Sequence, residues 1–591
     1  MKKRSQIKDK YKWNLDDLAS SDDKALQDLK EIEKFVDTIP SYKGKLGNKS
    51  ILLKYLSECT ENNKQLEIIG CYFHLKWCED VASVKYNKIM GELQNLSRKI
   101  GINSAFENSE LLSYGEEYLT NIISDKKFVL YKKSFEELLR SKPHVLNEES
   151  SKLMAKVGHF ADDFGEIFDK FDAVDIKFCD VLDSKGKSHK LTNSNFANYL
   201  ESKDRILRNN TWNNFYKAFM DMSNTIGTNY IGNVKSDVAY ANIYNYNSTL
   251  ESELFDDNIN PKIYDKLIEN INKYTPLLHR YYKLKKKALG LKDFGYADSY
   301  VTLSKYNPNF TYEQGVTMSK EALAPLGENY VNLVQKAVDE RWIDVYPTQN
   351  KTTGGFCTGG YLVHPYILLN NEGRLDDVFT FIHEIGHAMH SYHSNETQPY
   401  TLADYPIVLA EIASTSNEVL LLKYLYSKAT SKNEKIYYLD KYLKMFKSTI
   451  FRQTMFSEFE DYAHKSVEAG NALTVQTLCE YYGNLNKKYH GKAIKHCKEI
   501  EFEWLRIPHF YNSYYVYKYS TGMISAICLM SNILNGVDGA YEKYFSFLKA
   551  GGSDYPMNTL ARAGVDLSTD EPYEIAFAEM KWALDELSKL I

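Results

Sequence analysis

The chain has 591 residues, 43% of them hydrophobic and 26% charged, enough for two or more cores or one unusually large one, and this excludes a peptide hormone or a disordered linker. Lys and Arg number 73 against 78 Asp and Glu, a formal charge of −5 with no long block of one sign, so nucleic acids held by bulk charge are not expected as partners. The basic opening MKKR runs straight into charged residues, and no stretch approaches about 18 continuous apolar residues, so neither a signal peptide nor a membrane partner is expected and the protein is placed in the cytoplasm.

Only 13 prolines and 30 glycines occur, and most of the chain reads at helical period, which predicts a mainly α protein. From Asp22 to about Asn147 one helix follows another; Lys142-Pro143-His144 punctuates the run, and Asn147 is placed to cap the helix that follows. Residues 173–191 alternate around Ser184-Lys185-Gly186-Lys187 and read as a small β-hairpin. Helical pattern resumes near Asn193. A second β-like passage, TGGFCTGGYLVHPYILLN at 353–370, holds two Gly pairs and a strand from Tyr361 to Asn370. Helices follow, with turns expected near Thr397–Pro399, Gly483–Gly491 and Gly551–Asp554. No internal repeat is visible. The expected division is an N-terminal helical region, 1–200, carrying the hairpin, and a catalytic region, 201–591. Eight scattered cysteines with no C-x-x-C pair read as buried thiols of a reducing compartment.

Chemistry concentrates just after the second β passage. DDVFTFIHEIGHAMHSYH, 376–393, contains His383-Glu384-x-x-His387. On a helix, i and i+4 lie about 40° apart and one turn along, so two imidazoles can hold one zinc while Glu384 reaches a water on it as general base. Surface histidines are the plain alternative, but the helix is apolar at Val378, Phe379, Phe381, Ile382 and Ile385, and a core helix does not bury two histidines and a glutamate without use.

A third ligand has two candidates. His393 has the spacing of a metzincin motif, but that motif has Gly where this chain has His390, and a continuing helix turns His393 about 240° away from His387. Glu411 lies in PIVLAEIASTSNEVLLLKYL, opened by Pro406, among Leu409, Ala410, Ile412 and Ala413, where an unpaired carboxylate would be costly and a metal would remove the cost. Glu418, two turns on, is either a partner for a ligand histidine or a surface ion pair. Five of the eleven residues 509–519 are tyrosine, against 47 in the whole chain; they are either core packing or donors to a developing oxyanion. Gly354-Gly355 and Gly359-Gly360 either shape a hairpin or form a loop over bound peptide, and an exposed edge of the following strand could pair with an extended substrate.

HEIGHAMHSYH with Glu411 24 residues after His387, together with YKWNLDDL, KTTGGFCTGG, RIPHFYNSYYVYKYSTG and AGVDLSTDEP, resembles the thimet oligopeptidase-like zinc metallopeptidases, most closely their bacterial oligoendopeptidase F branch, over nearly the whole chain. The resemblance implies an elongated helical body with a deep internal substrate channel, one zinc per chain on His383, His387 and Glu411, and endopeptidase activity on oligopeptides. It also implies His509 and Tyr517 as catalytic donors, with Tyr511, Tyr514, Gly359 and Gly360 at the substrate. Two other readings are a catalytically inactive peptide-binding scaffold, which would lose Glu384 or a ligand, and a metzincin-like protease using His393.

Overall fold

The structure is a computed structural model that describes residues 2–157 and 163–591. Helices make up 71% of it, while the strands among the described residues are five pieces of two or three residues, so the class is mainly α as expected. Contacts gather the chain into two units: Met1–Pro143, Asn307–Tyr424 and Asn532–Gly564 form the first, and His144–Tyr306, Leu425–Ser531 and Val565–Ile591 the second. The break at Pro143 falls within the Lys142-Pro143-His144 punctuation.

The first unit starts with helices Asp22–Thr38, Lys49–Glu79 and Val84–Ser104, begun by the side chains of Ser21, Asn48 and Ser83, which accept N–H groups of the first turn. Their apolar faces meet in a core where Leu52, Phe73, Leu75, Cys78, Leu119 and Ile122 are fully buried. Tyr366 and Leu368 belong to that same core. They lie on a three-stranded sheet. Numbering all strands in chain order, β1 (Val181–Leu182) and β2 (Ser188–His189) form the hairpin in the second unit, and β3 (Ile343–Asp344), β4 (Phe356–Thr358) and β5 (Tyr366–Leu368) form this sheet.

The order is β3-β5-β4, with β5 parallel to β3 and antiparallel to β4. Its three residues are buried on both faces, which is why YIL reads as a continuous apolar run. An extended strand with an exposed edge is expected over Tyr361–Asn370; in the structure the chain turns at Gly360–Val363, β5 has neighbours on both sides, and the edge strands are β3, flanked by Tyr11 and Asn14, and β4. Lys351 anchors the sheet from inside. Its ammonium, 1% exposed, pairs with Asp344 at 2.7 Å and donates to the carbonyls of Asp344, Tyr346 and Leu369, so the buried charge is fully partnered.

In the second unit, Asn147 caps helix Glu148–Val157 by accepting the N–H of Ser150 at 2.9 Å, and β1 and β2 pair Val181 with His189 around the expected turn. Gly483, read as part of a turn, is instead inside helix Val475–His490. It is needed for close packing, since a Cβ there would lie 2.9 Å from Glu501 Cγ. Glu503 is 1% exposed and accepts from Arg452 at 2.8 Å, Tyr482 at 2.6 Å and Tyr216 at 3.0 Å. Burial opposes its charge, but Arg452 and Arg506 outweigh that and lower it to about 2.

None of the eight cysteines is in a disulfide, and Cys179 is exposed rather than buried, being on the loop before β1. No described helix is long and apolar enough to cross a membrane.

Candidate metal centre

The HExxH residues lie on helix Leu375–Thr397, whose first turn is held by Asp377 Oδ2 accepting the N–H groups of Arg374 and Glu372 at 2.8 and 2.9 Å. Val378, Phe381, Ile382, Ile385, Ala388 and Met389 are buried, which commits one face of the helix to the core. A second helix, Ile407–Lys428, crosses it with the part up to Tyr424, which belongs to the same unit. At the crossing the backbones touch: a Cβ on Gly386 would stand 2.4 Å from Ser414 Cα and 2.8 Å from the Ala413 carbonyl. Fully buried Asn417 ties the two together, donating to the Ile382 carbonyl at 3.1 Å and accepting from the Tyr330 hydroxyl at 3.1 Å.

This crossing brings three of the sequence-read residues to one point. His383 Nε2 and His387 Nε2 are 3.2 Å apart, and Glu411 Oε2 lies 3.4 Å from the first and 3.8 Å from the second. The three offer donor atoms close enough to hold one metal ion. Glu418 Oε1 accepts the Nδ1–H of His383 at 2.5 Å, which leaves the Nε2 lone pair directed at the group. Burial pushes Glu384 up to about 7, against the pull of His383. Burial opposes charge on His383 too, but the Glu418 bond and the nearby carboxylates raise it to about 9. Burial and then the charged His383 lower His387 to about 4.

His393 does not join this group. The helix continues to Thr397, and the His393 ring lies against Tyr330 and edge-on to Phe545, ring centres 6.5 and 5.5 Å away. His390 is fully buried and stacked 3.7 Å from Tyr405. Gly359 and Gly360 line a cavity of about 880 Å³ together with Thr358, Ser391, Tyr405 and Ala410, the residue before Glu411. Gly355 has a closer relation to the motif that sequence reasoning missed: a Cβ there would lie 2.8 Å from Thr380 Cγ2 and 3.6 Å from Glu384 Oε1. The Gly pair preceding a strand was the available signal, but two such pairs stand five residues apart and sequence does not separate them.

The 509–519 segment is part of the second unit. His509 is exposed, and its Nε2 meets the Tyr519 hydroxyl at 3.4 Å, with Tyr515 stacked 6.3 Å from its ring centre. Tyr517 is 1% exposed with its hydroxyl unpartnered and its ring against Tyr264. Tyr514 is buried as well, and Tyr511 stacks on Phe168 while its hydroxyl accepts from Asn229 at 3.2 Å. The structure thus places His509 with Tyr515 and Tyr519 on the accessible side of the segment, and Tyr514 and Tyr517 on the inner side.

A family model described as peptidase family M3 matches residues 198–579, and one described as oligopeptidase F matches residues 110–178. The chain is 37% identical to oligopeptidase PepF of Bacillus subtilis, covering 100% of this chain and 88% of the relative. It is 36% identical to group B oligopeptidase PepB of Streptococcus agalactiae, covering 100% and 98%. Among solved structures, oligoendopeptidase-F from Enterococcus faecium superposes with a TM-score of 0.74 at 30% identity over 96% of this chain and 98% of that one. The chain therefore belongs to peptidase family M3, in its oligoendopeptidase F branch.

Proposed function

We propose that this peptidase is a zinc-dependent endopeptidase that hydrolyses internal bonds of oligopeptides, with His383, His387 and Glu411 as metal ligands and Glu384 as general base. The observation that carries the reading is the convergence of two imidazole nitrogens and one carboxylate oxygen at 3.2, 3.4 and 3.8 Å. Ligand atoms about 2.0–2.2 Å from a tetrahedral zinc stand roughly 3.3–3.5 Å from one another, so the donor set fits in both chemistry and spacing. Zinc bound there supplies Lewis acidity to the scissile carbonyl and makes water a nucleophile at neutral pH. Glu384, next to the first ligand in the helix, would take the proton from the attacking water and pass it to the leaving amine. Glu418 holds the tautomer and orientation of His383.

An extended substrate backbone is read as adding to the edge strand β4, with alternate side chains reaching the cavity that Gly359 and Gly360 line. Gly355 keeps the space beside Glu384 clear. His509 and Tyr517 are carried over from the family motif as donors to the carbonyl oxygen as charge develops on it, with Tyr511 and Tyr514 as substrate contacts. The hydrogen bond between His509 and Tyr519 favours Tyr519 as an additional member of that set.

The test is a mixed peptide library incubated with the purified protein, with and without a chelator, and read by mass spectrometry. Internal cleavage that stops on chelation and returns with zinc is expected. His387→Ala and Glu411→Ala should lose the metal and His393→Ala should keep it; retention of zinc by Glu411→Ala would overturn the ligand assignment.

A further inference from the structure

A buried polar cluster in the second unit takes no part in the proposed hydrolysis. It joins helix Ser223–Ile243, helix Arg452–Glu468 and the link between Tyr511 and Tyr517. Asp237 Oδ2 accepts from Ser513 Oγ at 2.5 Å, Asn233 Nδ2 at 2.9 Å and His464 Nε2 at 3.2 Å. The other nitrogen of His464 lies 2.9 Å from the Glu460 backbone carbonyl, so both ring nitrogens have a polar partner. Glu460 Oε1 accepts the backbone N–H of Tyr514 at 2.8 Å. His464 and Glu460 are fully buried, and groups of this kind are costly inside a protein unless their bonds serve something.

What they hold is a backbone kink. Tyr514 has φ +52, a left-handed conformation that a tyrosine avoids and that persists only where its surroundings enforce it. Its ring is packed between Tyr264 and His464, at centre distances of 5.5 and 5.0 Å. The kink turns Ser513 and Tyr514 inward and leaves His509, Tyr515 and Tyr519 on the accessible side.

We propose that Asp237, His464 and Glu460 are positioning residues: they lock Ser513 and Tyr514 inward and so fix the orientation in which His509 and its tyrosine neighbours meet the substrate. This rests on the reading of the 509–519 segment as a source of donors to the scissile carbonyl. The lock acts through the segment's backbone and the Ser513 hydroxyl, so its effect should fall on turnover more than on peptide binding.

The test uses the full-length, zinc-loaded protein and the variants Ser513→Ala, Asp237→Asn, their double combination and Ser513→Thr. Steady-state kcat and KM are measured on a peptide that the wild type cleaves, beside amide hydrogen exchange of fragments spanning 509–519 and the melting temperature. Ser513→Ala and Asp237→Asn should each lower kcat about 10–100-fold, the size of effect that a small misplacement of reacting groups produces, with KM nearly unchanged and faster exchange confined to this segment. The double variant should be no worse than the worse single one, because both remove the same link, and Ser513→Thr should restore turnover. Unchanged exchange in both single variants, or faster exchange with unchanged kcat, would overturn the proposal. A wild-type protein that cleaves no peptide would instead overturn the reading of the function, while the exchange data still decide whether the cluster holds the segment.

Discussion

Glu418 accepts the Nδ1–H of His383 from two turns beyond Glu411 on the facing helix, at 2.5 Å. One helix therefore carries both a proposed metal ligand and the group that fixes the tautomer of another. Glu418→Gln keeps the shape and an acceptor but removes the charge, and should weaken zinc binding about 10–100-fold. Competition against a chromophoric chelator measures this directly, and unchanged affinity would remove Glu418 from the metal centre.

Glu384→Gln should retain zinc and bind peptide while losing about 10²–10⁴-fold in kcat, the usual contribution of a general base. Burial holds Glu384 near 7, and a cation bound beside it lowers that value. The acid limb of kcat/KM should then lie below pH 7 and disappear in the variant. A variant with normal turnover and full zinc content would place the base elsewhere.

Gly386→Ala should separate the two site helices, since the added methyl meets the backbone at Ser414 rather than a movable side chain. A loss of about 1–3 kcal/mol in stability is expected, accompanied by weaker zinc binding. Gly70→Ala is the control: that glycine lies in helix Lys49–Glu79 with nothing within 4 Å of the new atom, and the substitution should stabilise by about 0.4–1 kcal/mol. Equal melting temperatures and zinc affinity for Gly386→Ala and the wild type would mean that the helices can part freely.

Acid should weaken the fold through buried histidines. Burial lowers His390 to about 3, His393 to about 4 and His490 to about 3. Above about pH 6.5 folded and unfolded chains both hold these rings neutral; below it the unfolded chain takes up protons that the folded one refuses, so stability falls toward pH 4. Each histidine contributes a slope of up to about 1.4 kcal/mol per pH unit. Urea midpoints between pH 7.5 and 5 should show the decline, and His390→Phe, which keeps the stack on Tyr405, should make it shallower. An identical slope in the variant would assign the acid sensitivity to other groups.

Local geometry was legible in the sequence, and tertiary contact was not. The i, i+4 histidines and the acid in the apolar stretch around Glu411 announce themselves because a helix fixes their faces without reference to the rest of the chain. The Asn147 cap and the hairpin at 184–187 are legible for the same reason. Gly355 and Gly483 depend on what approaches them, Thr380 and Glu501 respectively, and no periodicity records that. β3 is two residues long and is a strand only because it pairs with β5. Which of the clustered tyrosines point inward follows from the left-handed turn at Tyr514, a conformation that composition gives no reason to expect.

The sheet beside the metal helix has a consequence for where this protein can be divided. Tyr366 and Leu368 complete the core built by residues 13–138, and the first residues of the chain run alongside the sheet, with Val345 N–H donating to the Tyr11 carbonyl, Asn14 to Arg341 and Gln349 to Lys2. The region that matches the peptidase family model begins only at residue 198. A chain started there would carry every proposed catalytic group, yet leave the inner face of its own sheet bare and the edges of residues 341–349 unpaired. The match to the M3 family model and the unit that surrounds the metal helix therefore begin at different points, because residues 13–138 build the core that Tyr366 and Leu368 complete.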